Sequence, residues 1–238
     1  MVLFRNIVFL ASKINLSNLA NAVPSMATHI PILNSAAEEI AIEYLKSGSV
    51  IAVPTDTVYG LACDATNTSA INNLYAIKCR NENKPLAICL GETNDVKIWA
   101  KVQQLPPNLL EALLPGPVTL ILHCANNNLD KSLSFREKVG IRIPDYPFIR
   151  HLACGLGKPL ALTSANLSNE PSAVEVAEFS SIWGKIPAIF DGGKLGTDHS
   201  ASTVVDLSEP GLYIIVREGA AHEETTNILK KFGLKNKY

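Results

Sequence analysis

Val50-Ile51-Ala52-Val53-Pro54-Thr55-Asp56-Thr57-Val58-Tyr59-Gly60-Leu61 is the stretch from which the rest of the chain is read. Four apolar residues, three of them β-branched, are the pattern of a short buried strand. Pro54 ends that run, because proline cannot donate to a strand ladder. The loop that follows carries two hydroxyls and a carboxylate, and loops on a rigid scaffold are where binding groups collect. Ordinary turn chemistry accounts for Thr and Asp after Pro equally well.

The same plan recurs outward from this stretch. Strand patterns fall at 86–90, 118–122, 139–143, 159–162, 188–190, 203–205 and 213–216. Helical spacing of apolar residues falls at 38–45, 69–78, 96–102, 108–114, 148–154, 174–179 and 223–231, with Asn34-Ser35 as a candidate cap for the first. Pro115-Gly116-Pro117 breaks the chain ahead of a strand. Helices and strands alternate without a long linker or composition shift, which predicts one mixed α/β domain over 28–238. Frequent short connections favour a sheet of mixed parallel and antiparallel strands.

The chain has 238 residues, 47% hydrophobic and 18% charged, with a formal net charge of −1. That balance excludes a general attraction to polyanions, so any basic site is local. Five cysteines stand at 63, 79, 89, 124 and 154 without a CxxC pair, which suits reduced, mostly buried thiols. No apolar run approaches the ~20 residues of a membrane span. Residues 1–37 contain Arg5 and Lys13 but no acid, and serines at 12, 17, 25 and 35. Residues 1–27 therefore read either as a mitochondrial transit peptide or as a disordered cytosolic extension, with Met26 as a second candidate start. The expected location is cytoplasmic, mitochondrial or both.

Lys78, Arg80 and Lys84 put three cations in seven residues at the end of a helix, opposed by Glu82. They form a candidate phosphate cradle, Arg offering a planar fork and Lys a point charge. Complementing the helix macrodipole is the plainer alternative. Thr163-Ser164-Ala165-Asn166 offers two hydroxyls and an amide after an apolar strand, or simply a capped turn. Lys138 and Arg142 lie four apart in a strand and so face the same way, while Val139, Ile141 and Ile143 face the core. Cations protecting an exposed edge strand would look the same. Gly192-Gly193-Lys194 lacks the spacing of a Walker loop and reads as a turn. The histidines at 29, 123, 151, 199 and 222 show no metal spacing, and no HExxH or GxSxG occurs.

In order along the chain stand PTDTVYGL at 54–61, Lys78-x-Arg80 with Lys84-Pro85-Leu86, GPVTL at 116–120, GIRIPD at 140–145, LTSANLS at 162–168, DGG at 191–193, STVVD at 202–206 and Arg217-x-Gly219. This set resembles the YrdC-like family of threonylcarbamoyl-AMP synthases over about residues 30–235, closest to the short, animal-type members. The resemblance implies a twisted mixed sheet with helices around a concave basic cleft. It implies a nucleotidyltransferase that makes threonylcarbamoyl-adenylate and pyrophosphate from L-threonine, bicarbonate and ATP, with Mg²⁺ accompanying the ATP. A transferase complex would then modify the tRNA adenosine beside the anticodon. By resemblance Lys78, Arg80 and Lys84 are catalytic, lining the triphosphate and carboxylate region. Thr57, Arg142 and Ser202 would hold threonine, and Arg80, Lys84, Lys138, Ser164, Asn166 and Arg217 would bind ATP. Cys79 stands where the family commonly has a small residue, often Gly. Ala201 stands where many members have Pro, and Cys89 where some have a polar contact. Two other readings compete: a module that binds RNA weakly through the same cleft, and a nucleotide-binding scaffold subunit. Few aromatics argue against the first, and retention of all six matched cations against the second.

Overall fold

A computed structural model of the chain describes residues 27–79, 86–125, 129–168 and 170–238. Its first half runs β1 (Thr28–Pro31), α1 (Ala37–Lys46), β2 (Ile51–Val53), β3 (Gly60–Asp64), α2 (Thr68–Lys78), β4 (Ala87–Cys89), α3 (Val96–Trp99), α4 (Leu109–Leu113) and β5 (Val118–His123). The second half runs β6 (Ser134–Phe135), β7 (Lys138–Arg142), α5 (Pro147–Leu156), β8 (Leu160–Ser164), β9 (Ala188–Asp191), β10 (Thr203–Asp206), β11 (Leu212–Arg217), α6 (His222–Lys231) and β12 (Lys235–Asn236). All strands join one sheet in the order β1-β9-β2-β3-β8-β4-β7-β5-β10-β11-β12, with β6 paired to β7. Parallel pairs such as β4–β7 and β5–β10 mix with antiparallel pairs such as β3–β8 and β5–β7. The expected mixed α/β class is what the structure shows.

The pleat divides the side chains between two cores. One core takes Ile51, Val53, Ala62, Leu160, Leu162 and Phe190 from the sheet, with Ala41 and Leu45 of α1 and Ile149 and Leu152 of α5. The other takes alternate residues, among them Ala52, Leu61, Ala161, Ile141, Leu120 and Val205, with Ile71 and Leu74 of α2, Leu109 of α4 and Leu229 of α6. Strands β2 and β3 are buried throughout, so their sequences lack alternation. The α1–α5 layer covers the β9-β2-β3-β8-β4 part of one face. On β7, β5 and β10 the residues of that same face are Lys138, Gly140, Arg142, Thr119, Ile121, Val204 and Asp206, and they line a cleft instead of a core.

Four strands escaped the sequence reading. β1 and β12 lie at the ends of the strand order, β6 has two residues, and β3 is made of small residues that give no periodic signal. The helix expected at 174–179 is instead a 3₁₀ segment, Val176–Lys185, broken at Phe179. The helix expected at 96–102 stops at Trp99. Asn34 does not cap α1 from the N-cap position; its Oδ1 accepts from Ala36 N. Lys138 and Arg142 do not protect an edge, since β7 has neighbours on both sides. Apart from Ala27, the extension expected at 1–27 lies outside the described residues, as do Arg80 and Lys84. Among the described residues no helix is long and apolar enough to cross a membrane.

Candidate functional site

The cleft has a volume of about 670 Å³ and collects residues from β3, β4, β5, β6, β7, β8, β10 and β11. It brings together Lys138, Arg142, Ser164, Ser202 and Arg217, five of the residues singled out by sequence and spread over 80 positions. Thr57 stands behind its wall through Arg142, and Asn166 and Lys78 through Ser164.

Arg142 is only 7% exposed and lies in a polar corner. Its Nη2 donates to Asp56 Oδ1 at 2.6 Å, Thr57 Oγ1 at 2.7 Å and Thr55 Oγ1 at 3.3 Å. The other oxygen of Asp56 accepts from Asp145 N at 2.9 Å. The Pro54–Thr57 turn that follows β2 thus folds over the end of β7. Arg142 Nε is buried and has no acceptor among the described residues. A buried donor left unpaired costs about 1–3 kcal/mol, so this corner favours an incoming acceptor. Ser202 and Thr119 add two nearly buried hydroxyls, 2.8 Å apart, to the lining. Arg217 braces Ser202, donating from Nη2 to its carbonyl at 2.6 Å and from Nε at 3.1 Å. Gly219 permits this bracing: a Cβ there would sit 2.3 Å from Ala201 O. Ala201, like Ser202, is part of the lining.

Lys138, at the other end of β7, pairs with Asp206 Oδ2 at 2.9 Å. Burial would raise the Asp206 carboxyl, but hydrogen bonds from Ser208 and Lys138 outweigh it and hold the group below the ordinary aspartate value. Phe135 and Val216, each more than half exposed, form an apolar rim with Arg136 set over the Phe135 ring.

Lys78 is 2% exposed and is not among the lining residues. This differs from the expectation that it lines a triphosphate site. A lysine at the last position of α2 points inward here, because Ser164 and Asn166 supply oxygens for its ammonium. Cys79, directly after it, has left-handed backbone (φ 48°, ψ 40°) at the helix C-cap. Glycine is the usual residue in that conformation. Cys89 is fully buried, and burial pushes its thiol up to about 12. It therefore offers no polar contact to the cleft. Tyr59, also fully buried, holds the Asp191–Gly193 turn: its Oη accepts from Gly192 N and lies 2.7 Å from Gly193 O.

Sequence reasoning missed Thr55, Asp56, Thr119 and Asp206 as site residues. All four lie inside quoted motifs, but only the cross-strand partners Arg142, Ser202 and Lys138 give them a role. Among the described residues no group of three His, Cys, Asp or Glu side chains could hold a metal ion.

A family model covering Sua5, YciO and YrdC proteins, described as telomere recombination, matches residues 43–219. A Bos taurus protein named threonylcarbamoyl-AMP synthase is 48% identical over 200 residues, 82% of this chain and 72% of its own length. A Homo sapiens protein of the same name is 48% identical over 201 residues, covering 82% of this chain and 71% of its own. The crystal structure of P. abyssi Sua5 complexed with L-threonine matches with a TM-score of 0.75 at 27% identity, over 89% of this chain. This chain spans 62% of that Sua5 chain.

Proposed function

This chain belongs to the Sua5/YciO/YrdC family, and on that premise we propose that its cleft makes threonylcarbamoyl-adenylate from L-threonine, bicarbonate and ATP. The amine of threonine takes up the bicarbonate carbon with loss of water, giving a carbamate. A carbamate oxygen then bonds to the α-phosphorus, the bond from that phosphorus to the bridging oxygen breaks, and pyrophosphate leaves. This makes the enzyme a nucleotidyltransferase. Its product is an activated acyl group suited to a transferase that modifies tRNA.

The reaction joins two anions and needs no nucleophilic side chain. The protein has to position them, exclude water and offset developing charge. The observation that carries the reading is the Arg142 guanidinium, which lines the cleft in a corner of hydroxyls and whose Nε–H has no acceptor among the described residues. A guanidinium already anchored to Asp56 is rigid and still has a donor for a carboxylate. Threonine fits that corner, its carboxylate on Arg142, which Thr57 braces from behind, and its hydroxyl toward Thr119 and Ser202. The nucleotide would lie along Ser164, Lys138 and Arg217, with Arg80 and Lys84 taking the polyphosphate. Asp206 is the one carboxylate among the described lining residues, and Lys138 already holds it. That donor set suits a Mg²⁺ ion carried mainly by the phosphates, whose role would be to neutralise the leaving pyrophosphate.

The test is pyrophosphate release by purified protein with ATP, Mg²⁺ and bicarbonate, with and without L-threonine. Release that requires both threonine and bicarbonate is expected. Folded protein that binds ATP yet releases none would overturn the reading in favour of a binding module.

A further inference from the structure

The end of α2 and the end of β8 with the loop after it are 86 residues apart in sequence and are joined, among the described residues, by five hydrogen bonds. Lys78 Nζ donates to Ser164 O at 2.7 Å, to Asn166 Oδ1 at 2.8 Å and to Ser164 Oγ at 3.4 Å. In return Lys78 O accepts from Ser168 N at 3.1 Å and Ser168 Oγ at 3.0 Å. The last carbonyl of the helix is thereby satisfied by the loop. Asn166 is oriented without ambiguity, since its Nδ2 donates to Glu170 O while its Oδ1 faces the ammonium.

This network decides which way the Ser164 hydroxyl points. Asn166 Oδ1 can only accept, so the Ser164 proton is committed to it. The Lys78 ammonium can only donate, so it accepts nothing from Ser164. What Ser164 has left for the cleft is an oxygen lone pair. A phosphate oxygen has no proton to give and gains nothing there, whereas a hydroxyl or amine does.

We propose that Lys78 is a positioning residue, which together with Asn166 presents Ser164 to the substrate as a hydrogen-bond acceptor. The ligand group it reads is a donor, of the class of a ribose hydroxyl or an amine. This rests on the adenylate-forming reading and changes one role within it: Lys78 works through Ser164 instead of touching the triphosphate. The latch also holds the end of α2, where the chain leaves the helix through the left-handed Cys79.

The experiment compares wild type, Lys78→Met, Asn166→Ala, Ser164→Ala and the Lys78→Met/Ser164→Ala double variant. Wild-type turnover tests the adenylate reading by itself. Hydrogen exchange tests the latch whether or not turnover occurs: Lys78→Met should speed exchange of the Ser168 amide at least tenfold while amides of β2 and β3 keep their protection. In turnover, Lys78→Met and Asn166→Ala should each lose more than tenfold in kcat, and adding Ser164→Ala to Lys78→Met should cost less than a further threefold. Inhibition by pyrophosphate should stay within twofold of wild type in Lys78→Met. A tenfold weaker pyrophosphate effect, or Lys78 and Ser164 losses that multiply, would put Lys78 on the phosphates and overturn the proposal. If Lys78→Met does not fold, Asn166→Ala carries the same test, because it removes one acceptor and leaves the lysine in place. Unchanged Ser168 exchange and unchanged kcat in that variant would also overturn it.

Discussion

Arg142 and Lys138 leave the same face of the same strand, about 13 Å apart along the chain, yet their surroundings differ. The Arg142–Asp56 pair is 8% exposed on both sides, and three oxygens share the guanidinium. The Lys138–Asp206 pair is 28% and 14% exposed and opens on a rim of exposed side chains. A charge taken that far from water must be fully paired or it destabilises the fold. A charge at a wet mouth can exchange partners cheaply. One end of the cleft is thus part of the fold as well as the site, and the other contributes far less to the fold.

The contrast is broken first by removing Arg142. Arg142→Ala strands Asp56 in the interior and should cost about 3–5 kcal/mol as well as turnover. Chemical denaturation measures it, and Asp56→Ala should reproduce most of the loss. If both variants kept wild-type stability, the two ends would be alike.

Lys138→Ala should separate function from folding. Turnover should fall more than tenfold while stability drops by less than about 1 kcal/mol. Parallel melting curves and pyrophosphate assays decide this. A stability loss matching that of Arg142→Ala would erase the distinction.

The smallest effect is in acid. The Asp206 carboxyl lies below its ordinary value of 3.8 in the folded protein, so its charged form stabilises the fold above that pH. The stability is lost as pH falls from about 3.8 through the lower folded value. Asp206→Asn should therefore flatten the fall of melting temperature below pH 4 and leave Arg142 in place. An acid limb as steep as wild type would assign that dependence to the other carboxyls held low, Asp64 by Lys158 and Thr66 and Asp130 by Ser132 and Thr68, each against burial.

Much of the fold can be read along the chain. Apolar runs ended by Pro or Gly mark most strands, and 3.6-residue spacing marks α1, α2, α5 and α6. The even spacing of Lys138 and Arg142 sends both to one face, and the structure has them there. The polar loops carry their hydroxyls and amides whatever the tertiary arrangement, so the chemistry at hand is visible early. Strand β3 was hidden because Gly60, Ala62 and Cys63 are small and none of its residues is β-branched, whereas the equally buried β2 shows itself through Ile51 and Val53.

What the sequence by itself determined was the alternation of elements, the inventory of hydroxyls and cations, and the order of motifs that marks the family. These depend on residue type and spacing within short stretches. Only the tertiary structure decided that the α1–α5 layer stops at β4, leaving the far part of that sheet face open as a cleft. It also decided that Asp56 belongs to Arg142, Asp206 to Lys138, and Lys78 to Ser164 and Asn166. Those pairings join positions 68 to 88 residues apart. Local propensity carries no information about which distant strand will bring a buried charge its partner. The requirement that such a charge be paired acts only once the sheet is assembled.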